Sequence, residues 1–404
     1  MTSSAAPLLE LDITGIAHGG TFIARHEGRV VFVSDAVPGE RVRARLIEPA
    51  DAAADTRRFW RAETVDVLDA SPHRRPHIWA EADVARDPPD RPGGADLGHI
   101  ALDHQRTLKR QVLAEALDKF AGGGIEAPPV AAVGEGDGTA WRTRVTLHVD
   151  DEGRVGPFAA RSHRVIPVDS YPLARAGVES AALAVTKAKP GRIELVEPAD
   201  GVVRVIRVPE RGARRSPEIV HERVGARAFR VDAGGFWQVH PEAAATLDAS
   251  VRRLLTGRVD PALTHFDLYG GVGLFAATLA DLGATGIVSV ESSRRATEHA
   301  VANLRPVGIT GVTARVDRYL AALTDPPRVG AVVLDPPRAG AGRAVVEAID
   351  RLHPDSIVYV ACDPVALARD LGTFRGLGWS VAGLEAHDLF PHSHHFEVVA
   401  VLTR

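Results

Sequence analysis

The 404-residue chain contains one cysteine, Cys362, and one methionine. One thiol closes no internal disulfide and completes no four-cysteine metal centre. It can pack as a small hydrophobe. With a lowered pKa and an acid or base nearby, it can instead act as a nucleophile. The lack of cysteine pairs fits a reducing compartment. Met1 to Pro7 is neither basic nor apolar, and no later run nears membrane-spanning length. A cytoplasmic protein without a membrane partner is therefore expected, and no obligate protein partner is evident. Neither charge sign dominates, with 48 basic and 52 acidic side chains. Hydrophobic residues at 45% and charged residues at 25% match an ordinary globular composition.

The punctuation of the chain predicts a multi-domain protein in three parts. Residues 1–71 read as short strands (8–13, 22–25, 29–33, 41–47 and 61–68) separated by glycine turns, which fits an OB-like β-barrel. Residues 72–235 read as a central α+β domain, with a linker over 72–98 and a helix over 100–120. Strands are expected there near 141–149, 164–168, 192–196 and 202–208. The basic excess lies in 141–235, where Arg142 and Arg144 sit in a strand-like stretch. Arginines on one face of a sheet suit a phosphate backbone or, equally, a solvated face. From 236 to 404 strands and helices alternate as in a Rossmann-like α/β sheet. The last two strands lack an intervening helix, so one should run antiparallel.

Three features of the last part point to a cofactor. Asp267-Leu-Tyr-Gly-Gly-Val-Gly-Leu-Phe275 follows an apolar strand and opens a helix. Gly270, Gly271 and Gly273 would let the backbone approach a ligand. Glu291 ends the next strand, where an acid can accept hydrogen bonds from ribose hydroxyls. Asp335-Pro-Pro-Arg338 then closes a later strand. The combination favours S-adenosylmethionine over a dinucleotide. His392, His394 and His395 fit no common zinc spacing, so no metal site is expected.

Near the C-terminus stand Ile357-Val-Tyr-Val-Ala-Cys-Asp-Pro364 and Phe390-Pro-His-Ser-His-His-Phe-Glu397. With Phe236-Trp-Gln-Val-His-Pro-Glu242 and the glycine-rich Gly15 to Val33, the chain resembles the RNA (uracil-5-)-methyltransferase family along nearly its whole length. The resemblance implies an N-terminal TRAM barrel and S-adenosylmethionine as methyl donor. It implies Cys362 as the nucleophile that adds to uracil C6, and Glu397 as the base that removes the C5 proton. Gln238, Tyr269, Gly271, Glu291 and Asp335 would hold or orient the donor. Asp335, Arg338, Arg142 and Arg144 would face the RNA, with 23S rRNA favoured and tRNA possible.

The chain departs from the family pattern in three places. Pro76-His-Ile-Trp79 and Pro92-Gly-Gly-Ala95 lack the cysteines that hold an iron–sulfur cluster in many members, so no cluster is expected. Gly271 replaces the usual cysteine. Asp363 replaces the asparagine after the nucleophile, and its charge would raise the thiol pKa if the two side chains met. Two other readings follow from subsets of these residues. A purine amino-group methyltransferase would use Asp335-Pro-Pro and ignore Cys362. A non-catalytic RNA-binding factor would keep only the barrel and the basic sheet.

Overall fold

The computed structural model describes residues 7–47, 58–210, 217–324 and 326–404. The first six strands are β1 (Leu8–Asp12), β2 (Gly15–Ala17), β3 (Thr21–His26), β4 (Arg29–Ser34), β5 (Arg41–Leu46) and β6 (Phe59–Asp69). They form one sheet in the order β1-β5-β6-β4-β3-β2. β1 also lies against β3, so the sheet curls around its own core of Phe22, Val31, Val33, Val42 and Ala44. The short β2 is additional to the five strands expected.

The stretch expected to be a linker, 72–98, is folded and packed. Trp79, Ala82, Ala95 and Leu97 are buried. The backbone has too few regular partners here, so side chains supply the bonds. Arg91, itself buried, donates to Asp35 Oδ2 (2.8 Å) and to the carbonyls of Thr64 (2.9 Å), Val84 (2.9 Å) and Arg86 (2.7 Å). Arg74 grips the buried Glu40 through two bonds, at 2.6 and 2.7 Å. Loops held this way fail when the hub is removed. Arg91→Met should therefore cost about 1–3 kcal/mol by leaving the half-buried Asp35 carboxylate and several carbonyls unpartnered. Chemical denaturation of the two proteins checks this.

α1 (Leu102–Phe120) follows, with Leu108, Val112, Leu113 and Leu117 buried as its periodicity implies. It packs on the C-terminal sheet through β7 (Val130–Ala132) and touches β2, so it bridges barrel and sheet. The central sheet comprises β8 (Arg144–Val149), β9 (Val155–Gly156), β10 (Gly191–Val196) and β11 (Arg204–Pro209), with α2 (Ala176–Leu183) packed on it. No strand forms over 164–168. Only Val165 bridges, to Phe158, because Arg161 takes a left-handed turn and Pro167 can donate nothing. A hairpin of β12 (Ile219–Val224) and β13 (Arg227–Asp232) leads into the last part.

The remaining elements are α3 (Ala243–Leu255), β14 (Thr264–Leu268), α4 (Leu274–Asp281), β15 (Gly286–Glu291), α5 (Arg294–Asn303), β16 (Thr310–Thr313), α6 (Val316–Ala322), β17 (Val329–Leu334), α7 (Arg343–Arg351), β18 (Ser356–Ala361), α8 (Pro364–Gly376), β19 (Ser380–Asp388) and β20 (Glu397–Thr403). The sheet order is β16-β15-β14-β17-β18-β20-β19-β7. β14 to β18 are parallel, while β20 runs antiparallel to both β18 and β19. Layers cover both faces, so β17 and, after Ser356, β18 carry no charged side chain, and every residue in them is buried. Val332, Leu334, Tyr359 and Ala361 face one layer, and Ala331, Val333, Val358 and Val360 face the other.

Candidate active site

The parallel strands all end at one edge of the sheet, where the order reverses between β14 and β17. Such a switch point opens a crevice at the carboxyl ends of the strands. β14 delivers Tyr269 there, β15 delivers Glu291, β17 delivers Asp335 and β18 delivers Cys362. β20 enters from the same edge in the opposite sense, so its first residue, Glu397, lies among them.

The register brings the thiol and the carboxylate together. Ala361 is paired with Val398 across the antiparallel β18–β20 ladder. The ladder stops there, and the next residues on each side are Cys362 and Glu397; the Glu397 charge acts on the Cys362 thiol. Ala361 and Leu334 point into one layer, so Cys362 and Asp335 turn to the other by the two-residue alternation. Burial pushes the Cys362 thiol up to about 12, with help from the negative charges of Glu397, Asp335 and Asp363; Arg338 alone among the charges acting on it opposes this. Burial and Asp335 likewise hold Glu397 well above the ordinary carboxylate range, against Arg338. Asp335 is itself raised, first by burial and then by Asp267.

The glycine loop is shaped to receive a ligand. Tyr269 adopts a left-handed backbone, with φ at 61°. A Cβ on Gly270 would lie 2.2 Å from Ser289 Oγ, so the chain is pressed down at that point. Gly271, with φ at 54°, has nothing within 4 Å of a Cβ position and faces open space. Its N–H donates to Glu291 Oε2 at 3.2 Å, while the other oxygen, Oε1, accepts from the Ser293 N–H at 2.6 Å. Beneath the loop, Asp267 is wholly buried and burial lifts it to about 7. Its Oδ2 accepts from Ala276 N and Ser289 Oγ, whereas Oδ1 has no protein partner. Asp267 opens the glycine motif, so its place in sequence was the available signal for it.

The remaining predicted residues divide into two groups. Arg142 lies near Arg338, and burial together with that neighbouring cation lowers its pKa. Gln238 is half-buried in a segment held by Thr143, the residue before β8, which donates twice to the Val239 carbonyl. Two residues earlier, Phe236 is 76% exposed. Arg144 turns inward instead: it donates to the Gly235 carbonyl and stands 3.9 Å from Glu222. It thus ties the central sheet to the β12–β13 hairpin, which its place in the strand alternation could not reveal.

The three histidines work as struts. His392 is buried between α1 and the 137 loop, bonded to Gln105 and to the Asp137 carbonyl. His394 Nδ1 pairs with Asp96 Oδ2 at 2.7 Å. His395 lies against His394 with the rings tilted by 46° and is driven down to about 3, chiefly by burial. Among the described residues no group of three or more potential ligands could hold a metal ion. Lys109 of α1 and Asp388 of β19, each 1% exposed, form an ion pair of 2.6 Å beside the same cleft. No described helix is long and apolar enough to cross a membrane.

Comparison with known proteins places this arrangement. The family described as tRNA (Uracil-5-)-methyltransferase matches residues 320–404, and the TRAM domain matches 8–53. An uncharacterized RNA methyltransferase of Streptomyces avermitilis is 41% identical over 97% of this chain and 97% of its own. A 23S rRNA (uracil(1939)-C(5))-methyltransferase of Halomonas elongata is 30% identical over 97% of this chain and 89% of its own. The fold is that of the tRNA (uracil-54, C5)-methyltransferase of Pyrococcus abyssi, at 21% identity and a TM-score of 0.69, covering 97% of this chain and 99% of that one. The chain belongs to the RNA (uracil-5-)-methyltransferase family and carries its TRAM domain at the N-terminus.

Proposed function

We propose that this chain converts a uridine of 23S rRNA to 5-methyluridine, with S-adenosylmethionine as methyl donor. One observation carries the chemistry: the ladder ends at Ala361 and Val398, which brings the sole thiol, Cys362, beside a buried carboxylate, Glu397, whose charge acts on it more than any other. C5 of uracil is a weak nucleophile until C6 is attacked. Cys362 would first lose its proton to solvent, and the thiolate Sγ would then add to C6 and push the C5=C6 electron pair onto C5. The donor supplies an electrophilic methyl carbon, which C5 takes up. Glu397 would then remove the C5 proton, the electron pair would re-form C5=C6, and Sγ would depart. A carboxylate held above its usual range suits a base working near neutral pH.

The donor would lie against Tyr269, Gly271, Glu291, Asp335 and Gln238. The open face of Gly271 and the unsatisfied Oδ1 of Asp267 both fit a polar ligand at that point. Arg142 and Arg338 would meet the target nucleotide, and Phe236 offers an exposed ring for stacking an unpaired base. The target must lie in a loop or be flipped out for Sγ to reach C6. The preference for 23S rRNA rests on the names of the similar bacterial proteins.

The test is direct. Purified protein, methyl-labelled S-adenosylmethionine and unmodified RNA are combined, and separated 23S rRNA and tRNA are digested to nucleosides. Label in 5-methyluridine from 23S rRNA is expected. Label from tRNA would reassign the substrate, and label in a methylated purine would remove Cys362 from the chemistry. A second prediction concerns the only charge that draws the thiol pKa down. Arg338→Met should slow iodoacetamide alkylation of Cys362 at fixed pH by roughly tenfold, one pKa unit of thiolate. An unchanged rate would mean that Arg338 does not act on the thiol.

A further inference from the structure

The N-terminal barrel reaches the nucleophile. Its β2–β3 turn, Ala17 to Gly20, forms a wall of the same cleft that exposes Cys362. A Cβ on Gly20 would lie 2.9 Å from His394 Cβ, so the turn is seated firmly against the loop before β20. From that turn His18 Nε2 donates to Asp363 Oδ2 at 2.8 Å, across 345 residues of sequence. Asp363 is the residue next to the nucleophile and caps its helix: Oδ1 accepts from the N–H groups of Val365 (3.0 Å) and Ala366 (2.8 Å). Both carboxylate oxygens are thereby engaged away from Cys362.

We propose that His18 is a positioning residue for the methyl-transfer reaction, holding Asp363 on the helix cap and offsetting its charge, so that the TRAM barrel helps to set the reactivity of Cys362. This rests on the reading of Cys362 as nucleophile. An asparagine at 363 could cap the helix equally well and would bring no charge, so it would need no such partner. An aspartate brings a negative charge one residue from a thiol that must ionise. A hydrogen-bond donor at position 18 draws that charge towards the barrel. Asp363 is held below the ordinary carboxylate range by His18 and the two backbone N–H groups despite its burial. The other charged groups acting on Cys362 are Glu397 from β20 and Asp335 and Arg338 from the loop after β17. Lys109, His394 and His395 line the cleft, but Lys109 is neutralised by Asp388 and His394 is paired with Asp96.

The chain has a single cysteine, so alkylation of the intact protein reports on Cys362 alone. Iodoacetamide rates against pH are measured for wild type, His18→Ala, Asp363→Asn and the double variant, with no RNA present. Asp363→Asn should speed alkylation at a given pH, and His18→Ala should slow it, each by roughly threefold or half a pKa unit. In the Asp363→Asn background, His18→Ala should no longer slow it. Comparing the two backgrounds cancels any change in access caused by removing the imidazole. His18→Gln, which keeps a donor, should restore most of the wild-type rate. Equal effects of His18→Ala in both backgrounds would overturn the proposal and leave His18 as packing. Because the readout is the thiol itself, it stands apart from whether Cys362 proves to be the nucleophile in RNA methylation.

Discussion

Cys362→Ala should lose turnover by roughly 10⁴-fold or more while binding RNA within a few-fold of wild type. The reasoning is chemical. Without addition at C6, C5 keeps its low nucleophilicity, and no other described side chain at the sheet edge offers a comparable nucleophile. Cys362 lies in the loop between β18 and α8 as a half-buried free thiol, so its truncation removes chemistry and leaves the scaffold intact. Alanine should therefore keep the melting temperature nearly unchanged. Single-turnover methylation and a filter-binding titration on the same samples check both halves. Retained turnover would assign the enzyme to purine amino-group transfer at Asp335.

Glu397→Gln should stop the reaction one step later. Addition and methyl transfer need no base at Glu397, so the variant should hold a covalent protein–RNA species that wild type resolves. A denaturing gel would show it as a slow band that carries the methyl label and is absent from the doubly substituted Cys362→Ala, Glu397→Gln protein. The same substitution has a stability signature. The pKa of Glu397 is raised in the folded state, so its contribution to stability is fully present below its unfolded pKa. That contribution is lost as pH rises through the raised value. Glutamine cannot ionise, so the variant should melt above wild type at about pH 8 and together with it at about pH 4. In wild type the rate of proton removal should rise with pH through the same raised pKa.

Much of the catalytic edge was legible in the sequence because its signals are local. Strand-ending apolar runs place Tyr269, Glu291, Asp335 and Cys362 at strand termini, and the missing helix between β19 and β20 implied the antiparallel turn that carries Glu397. The β12–β13 hairpin was not among the strands expected, although Ile219-Val-His-Glu-Arg-Val224 alternates and Gly225 turns with φ at 55°. Other features rest on contacts that no local pattern encodes. The 72–98 stretch looks like a loop by composition and folds only because Arg91 and Arg74 find acids in the barrel. Arg144 alternates like an RNA-facing arginine yet meets Glu222, which burial lifts to about 7. His18 meets Asp363 only once the barrel has docked. Asp363 does raise the thiol pKa, though less than Glu397 and Asp335 do, and its two carboxylate oxygens are bonded to His18 and to the start of α8.

The central claim is a covalent bond between Cys362 and C6 of the target uridine. It is tested most directly by mass spectrometry of the Glu397→Gln protein after reaction with 23S rRNA and S-adenosylmethionine, followed by protease and nuclease digestion. The account predicts that the peptide containing Cys362 carries a methylated uridine nucleotide. An unmodified Cys362 peptide, recovered alongside RNA that has gained a methyl group, would contradict it.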